Sequence, residues 1–235
     1  MTPSLRARHV VVTGGTGALG TAVVGALLQA GASCHVPYRT AREAESFPYR
    51  DNGQVTLHPD VELADETAVE QLYTAVPKLW ASIHIAGGFA MGPLAQTGKA
   101  ALMAQIDTNL VSTFLCCRAA VKTLAATGEG GRIVNVAARP ALEWRQGAGM
   151  TAYTAAKAAV AALTVALAEE VAKEGILVNA VAPSIMDTPA NRAAMPKADH
   201  AAWPKTDAVA ATILFLAAPD NRVTRGAIVP VYGKS

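Results

Sequence analysis

His9-Val-Val-Val-Thr13 runs straight into Gly14-Gly-Thr-Gly-Ala-Leu-Gly20, and the helical pattern Thr21 to Ala30 follows without a break. Val10, Val11 and Val12 are apolar and β-branched, as a strand buried on both faces requires. The glycines let the backbone turn tightly after that strand. Small residues also let a pyrophosphate come close to free N–H groups at the positive end of the next helix. Strand, glycine loop and helix in this order predict the first unit of a doubly wound parallel sheet that binds a dinucleotide.

The rest of the chain repeats the alternation. Ser33 to Tyr38, Val55 to His58, Trp80 to Ala86, Arg132 to Val136, Ile176 to Val181 and Ala227 to Val231 read as strands. Helices are expected at about Asp65 to Val76, Lys99 to Ala126, the stretch after Gly149 as far as Lys173, and around Ile213 to Leu216. The fold class is therefore α/β, a Rossmann-type sheet with helices on both faces, and residues 1–235 read as one domain. Ser184 to Pro204, polar and rich in proline, is expected to be irregular and to act as a substrate lid.

Composition narrows the function. Of 235 residues 51% are apolar and 16% charged, with a net charge of +2 and sparse, scattered aromatic and basic residues. Neither a stripe of cations nor a stacking platform for nucleic acid is visible, so no nucleic acid partner is expected. The N-terminus reaches its first strand without an apolar leader, and no uninterrupted apolar run approaches the length of a membrane span. The expectation is a cytoplasmic protein with no membrane partner. Cys34, Cys116 and Cys117 have no metal-binding spacing and no disulfide arithmetic, so they read as reduced packing residues and no metal is expected. His84, inside a strand, reads as structural.

Tyr153 and Lys157 lie four apart in Thr151-Ala-Tyr-Thr-Ala-Ala-Lys157, on one face of one helix. A cation beside a phenol favours phenolate, so the pair predicts a tyrosine of lowered pKa that exchanges a proton with a small molecule. Beyond Lys157 the helix is apolar around much of its circumference, which predicts burial by the sheet on one side and by a second subunit on another. Asn109, in the middle of an apolar helical region, must be solvated, must satisfy a local backbone distortion, or must hold a water. The second strand ends on Tyr38-Arg39, with Arg42 close by, where NAD-binding sheets carry an acid for the ribose hydroxyls. A guanidinium suits a 2′-phosphate, so NADP(H) is the preferred cofactor, with NAD(H) the alternative.

Thr13-Gly14 through Gly20, Asp60-Val61, Ala86-Gly87, Asn109, Tyr153 with Lys157, Val181-Ala-Pro183 and the tail Asp207 to Gly233 together resemble the short-chain dehydrogenase/reductase family over essentially the whole chain. The resemblance implies a nicotinamide cofactor over the carboxyl edge of the sheet. Its contacts would come from Gly14, Thr16, Gly17, Leu19 and Gly20, from Tyr38, Arg39, Asp60 and Val61, and from Ala86, Gly87, Gly88 and Val136. Tyr153, Lys157, Pro183, Ile185 and Thr188 would complete them. Tyr153 would give its proton to the substrate, Lys157 would bind the nicotinamide ribose and lower the tyrosine pKa, and Asn109 would hold a relay water.

One position departs from the family pattern. Where a serine usually hydrogen-bonds the substrate carbonyl, this chain has Ala137 and Ala138. Ala86-Gly-Gly-Phe89, Ala141-Leu142, Gly149-Met150, Asp187-Thr-Pro-Ala-Asn-Arg192, Met195-Pro-Lys-Ala-Asp199 and Trp203 are similar to segments of the quinonoid dihydropteridine reductases, a branch that also lacks the serine. Phe89 stands in place of that branch's tryptophan, and Tyr38-Arg39 replaces its acidic position. The implied substrate is a small conjugated ring over which charge can spread. The alternatives are a carbonyl reductase in which Ser184, Arg139 or Arg145 replaces the donor, and a non-catalytic NADP(H)-binding sensor. A dimer or tetramer is expected.

Overall fold

The computed structural model describes residues 4–235. Seven strands form one parallel sheet: β1 (His9–Thr13), β2 (Ser33–Pro37), β3 (Val55–His58), β4 (Leu79–His84), β5 (Gly131–Val136), β6 (Ile176–Pro183) and β7 (Ile228–Val231). Their order is β3-β2-β1-β4-β5-β6-β7, with every neighbouring pair parallel. The chain winds outward from β1 to β3, then returns to place β4 against the other side of β1. The crevice at the carboxyl ends of β1 and β4 is the topological switch point, where ligands of such sheets bind.

Helices cover both faces because successive strand residues point to opposite sides. On one face α1 (Ala18–Gln29) and α8 (Thr206–Ala217) pack on Val10, Val12, Ile83 and Val134 through Val24, Leu27 and Ile213. On the other, α3 (Glu66–Thr74) and α5 (Ser112–Thr127) close over Val11, Ile133 and Val178 through Leu72, Tyr73 and Leu124. Asp65 caps α3, its side chain accepting from the Ala68 N–H at 2.8 Å.

Four elements differ from the sequence reading. The region expected as one uninterrupted helix from Lys99 is α4 (Lys99–Ile106), a π-helical turn (Asp107–Val111) and then α5. Asn109 sits inside that turn and is fully buried, which selects the backbone-distortion alternative. The segment 184–204 is not wholly irregular: Thr188 caps a short helix, α7 (Pro189–Ala194), by accepting from the Asn191 N–H at 3.2 Å. A five-residue helix, α2 (Ala41–Glu45), follows β2 where none was expected. The Tyr/Lys helix, α6 (Thr151–Glu170), ends three residues before Lys173.

By length and composition alone, Lys99–Thr127 and Thr151–Glu170 would pass as membrane spans. Here they lie against each other and the sheet, α5 along β4 and α6 along β6.

Candidate active site

The glycine loop forms the floor of a cavity of about 640 Å³ at the switch point. Its walls include Gly14, Thr16, Gly17, Leu19 and Gly20 from the loop and α1, Tyr38 and Arg39 after β2, Val61, and Ala86 with Gly87 after β4. Two glycines are demanded by geometry. Gly14 has φ of +66°, and a Cβ there would stand 2.7 Å from the Ala86 nitrogen; a Cβ on Gly20 would stand 2.0 Å from the Gly14 oxygen. Gly17 leads into α1 with no side chain capping the helix. First-turn N–H groups are thus left for an anion in the cavity. Such a cradle fits a dinucleotide pyrophosphate.

Arg39 lies on the cavity wall and its Nη1 is 3.7 Å from a carboxylate oxygen of Glu62. Glu43 and Glu62, which the sequence reading did not single out, line the same wall. Arg42 is exposed on α2 and does not line the cavity. Asp60 is also exposed, with φ of +56°, and its neighbour Val61 forms the wall instead.

Tyr153 and Lys157, the expected catalytic pair, lie past Gly87. Lys157 is buried, and its Nζ donates to the Val136 carbonyl at the end of β5 at 2.8 Å. A Cβ on Gly87 would come within 2.7 Å of Asn109 Oδ1 and 3.3 Å of Lys157 Nζ, so three of the expected residues converge there. Asn109 clamps the next residue in both directions: the Gly88 N–H donates to Oδ1 at 3.2 Å, and Nδ2 donates to the Gly88 carbonyl at 3.0 Å. Its amide also donates to the Gln105 carbonyl, a bond that helps fill the π-turn.

Tyr153 presents its ring to Phe89 edge to face, with centroids 5.0 Å apart. Its pKa is the main correction to the sequence reading. Burial pushes the phenol up to about 12, where a lowering by Lys157 was expected. The same burial pushes Lys157 down to about 8. The ammonium is directed at the Val136 oxygen, and loss of water alone accounts for the raised phenol.

Ala137 and Ala138 are both buried, with no hydroxyl at the end of β5. The candidate substitutes are committed elsewhere. Ser184 donates to the Tyr232 carbonyl at 2.9 Å, and Arg139 pairs with Glu143 at 2.8 Å while stacking on the Tyr232 ring. Arg145 lines a separate groove beside α6. Ile185 is exposed, and Pro183 ends β6. Thr188, already spent as a helix cap, does not line the cavity.

A buried polar network ties these elements together. His84 Nδ1 is 2.8 Å from Asn135 Oδ1, Asn135 Nδ2 donates to Thr164 on α6 at 2.9 Å, and Ser82 and Tyr73 close the other side of the imidazole. Burial pushes His84 down to about 4, so its structural reading holds as a neutral ring joining β4, β5 and α6.

Residues 8–199 match the family model described as short chain dehydrogenase. Galactitol 2-dehydrogenase of Rhizobium johnstonii is 32% identical, over 97% of this chain and 94% of that one. L-xylulose reductase of Bos taurus is 29% identical, over 97% and 96%. Among solved structures, ElxO with NADP bound superposes with a TM-score of 0.87 over 96% of this chain and 97% of that one, at 24% identity.

Proposed function

Since the chain belongs to the short-chain dehydrogenase/reductase family and is an NAD(P)-dependent oxidoreductase, we propose that it is an NADPH-preferring reductase of a small planar conjugated ring, such as a quinonoid dihydropteridine. The observation that carries this reading is the apolar end of β5. Buried Ala137 and Ala138 offer no donor to a localised oxyanion, and the absence of one such donor costs a ketone reductase about 3 kcal/mol of transition-state stabilisation. A conjugated ring spreads the incoming charge and depends less on a single donor.

NADPH supplies the hydride. The Gly14–Gly20 loop and the start of α1 would hold its pyrophosphate, and Arg39, whose Glu62 partner is distant, would hold the 2′-phosphate. Lys157 holds the nicotinamide ribose. Tyr153, protonated through the neutral range, gives up its proton only as the reduced ring becomes basic. Phe89 offers the substrate an apolar aromatic surface beside that phenol. Asn109 fixes the Gly88 backbone beside that site. Segment 184–204 serves as a lid, tied at its base by Asp187 to Arg192 and Lys205. Two copies pair through α5 and α6.

A carbonyl reductase is the second reading, favoured by the polyol and sugar enzymes among the relatives. Oxidation of NADPH and NADH should be followed with quinonoid dihydropterin, quinones and a panel of ketones. The expected outcome is turnover of the conjugated substrates over ketones, a loss of at least about 100-fold in kcat in Tyr153→Phe, and weaker NADPH but unchanged NADH binding in Arg39→Ala. Preferential ketone turnover selects the second reading. No turnover of any substrate by protein that binds cofactor tightly overturns both.

A further inference from the structure

At the amino ends of β5 and β6, on the opposite edge of the sheet from the catalytic pair, lies a second cavity of about 540 Å³. Arg132, Lys173, Arg222 and Arg225 line it together with Leu177, Val223 and two small residues, and no carboxylate does. Lys173 and Arg222 are exposed and form no ion pair among the described residues, while Arg225 reaches Glu169 at 3.3 Å.

Arg132 is the fixed member of the set. It is only 7% exposed, its Nη1 donates to the Gly131 carbonyl at 2.8 Å and its Nη2 donates to the Asn221 carbonyl. Its guanidinium sits 4.9 Å from the Trp80 ring, which Arg8 also covers at 4.1 Å. Burial and the charge of Arg8 both hold the Arg132 pKa below its ordinary value. Among the described residues the buried Nε–H has no acceptor. Next to Arg8, which reaches Glu129 at 3.8 Å, and three exposed cations, this guanidinium has no carboxylate partner of its own among the described residues.

We propose that this cavity binds a phosphate-type oxyanion, either a free phosphate or the phosphoryl group of a small organic phosphate, between buried Arg132 and the side chains of Lys173, Arg222 and Arg225. Guanidinium forks match tetrahedral oxyanions in geometry as well as charge. Leu177 and Val223, the latter exposed, give the carbon skeleton of an organic phosphate an apolar surface at the same cavity. The site is distinct from the cofactor cavity, whose walls share no residue with it.

The test is calorimetric titration of NADPH-saturated protein, so that the cofactor cavity is already filled, with inorganic phosphate, pyrophosphate and phenyl phosphate. Binding that weakens as salt is raised is expected, and the double variant Lys173→Gln/Arg222→Gln should weaken it by at least about tenfold. Both substitutions are on exposed residues, so the variant's NADPH affinity and Tm should match wild type. Tighter phenyl phosphate than phosphate assigns the site to an organic phosphate, and the reverse assigns it to the free anion. No binding at millimolar concentrations, or equal binding in wild type and double variant, overturns the proposal.

Discussion

Lys157 carries its charge at a cost. It is 5% exposed, it has one backbone carbonyl as partner, and burial brings its pKa down to about 8. An unfolded lysine keeps its proton up to about 10.4. Between these values the unfolded chain binds a proton that the folded one has released, so stability rises with pH across that window. Below about 8 both states are protonated and the full penalty applies. Denaturant unfolding of wild type and Lys157→Met should therefore show the wild type gaining on the variant as pH climbs from about 8 toward about 10. A difference independent of pH would mean the ammonium is solvated in the folded state. The same titration bears on activity: if the ammonium is what holds the nicotinamide ribose, turnover falls as pH rises through about 8. Tyr153, up near 12, keeps its proton over that range and remains an acid.

The π-turn between α4 and α5 is where an element was shaped to serve the site. Five residues, Asp107–Val111, depart from α-helical bonding, and the buried Asn109 amide within them grips the Gly88 backbone at both its N–H and its carbonyl. Asn109→Ala leaves that N–H and carbonyl without their partners, which should cost about 2 kcal/mol. That corresponds to a fall in Tm of roughly 5 °C for a chain of this size, with faster proteolysis in the loop after Gly88. An unchanged Tm would show that the grip contributes nothing to the fold. The sequence pattern could not locate this turn, because hydrophobic spacing through 99–126 is smooth and the distortion leaves only an unusual Asn as its trace. The first β-loop-α unit was legible, since strand, glycines and helix are contiguous and each has its own local signal. Tyr153 and Lys157 were legible for the same reason, one helical turn apart. The partners that give them their character were not: Phe89 against Tyr153, Val136 against Lys157, and His84 with Asn135 and Thr164 all meet only once β1, β4, β5 and β6 are placed in order. The pKa of Tyr153 went the wrong way in the sequence reading because spacing reports a nearby cation and says nothing of how much water is lost. Helix α7 is a different failure. Thr188 as cap and Pro189 at the first position are readable start signals, but six residues are too few to show a period.

At the scale of the molecule, the helices that carry the site also carry an apolar outward surface. Leu102 and Met103 on α4, Phe114 on α5 and Val165 on α6 are all at least 36% exposed, and α6 packs against both α4 and α5. Only 33% of the apolar window of α6 is buried within the chain, which leaves an uncharged face where a lone soluble helix would carry lysine and glutamate. Isologous pairing would bring two copies of this face together, since a two-fold contact needs one self-complementary surface. About 800 Å² per partner makes a stable interface of standard size. Light scattering is expected to report a dimer or tetramer for the wild type. Val165→Glu, which places a carboxylate on the outward face without touching the sheet, should shift the population toward monomer while circular dichroism stays unchanged. The catalytic consequence follows from the helix itself: Tyr153 and Lys157 sit two to three turns from Val165 on α6, so a chain that loses its partner also loses part of what holds that helix against β6. If pairing steadies the site, cofactor affinity of the wild type should fall with dilution while that of the monomeric variant is low at every concentration, and a monomeric wild type of full activity would contradict this account of the face.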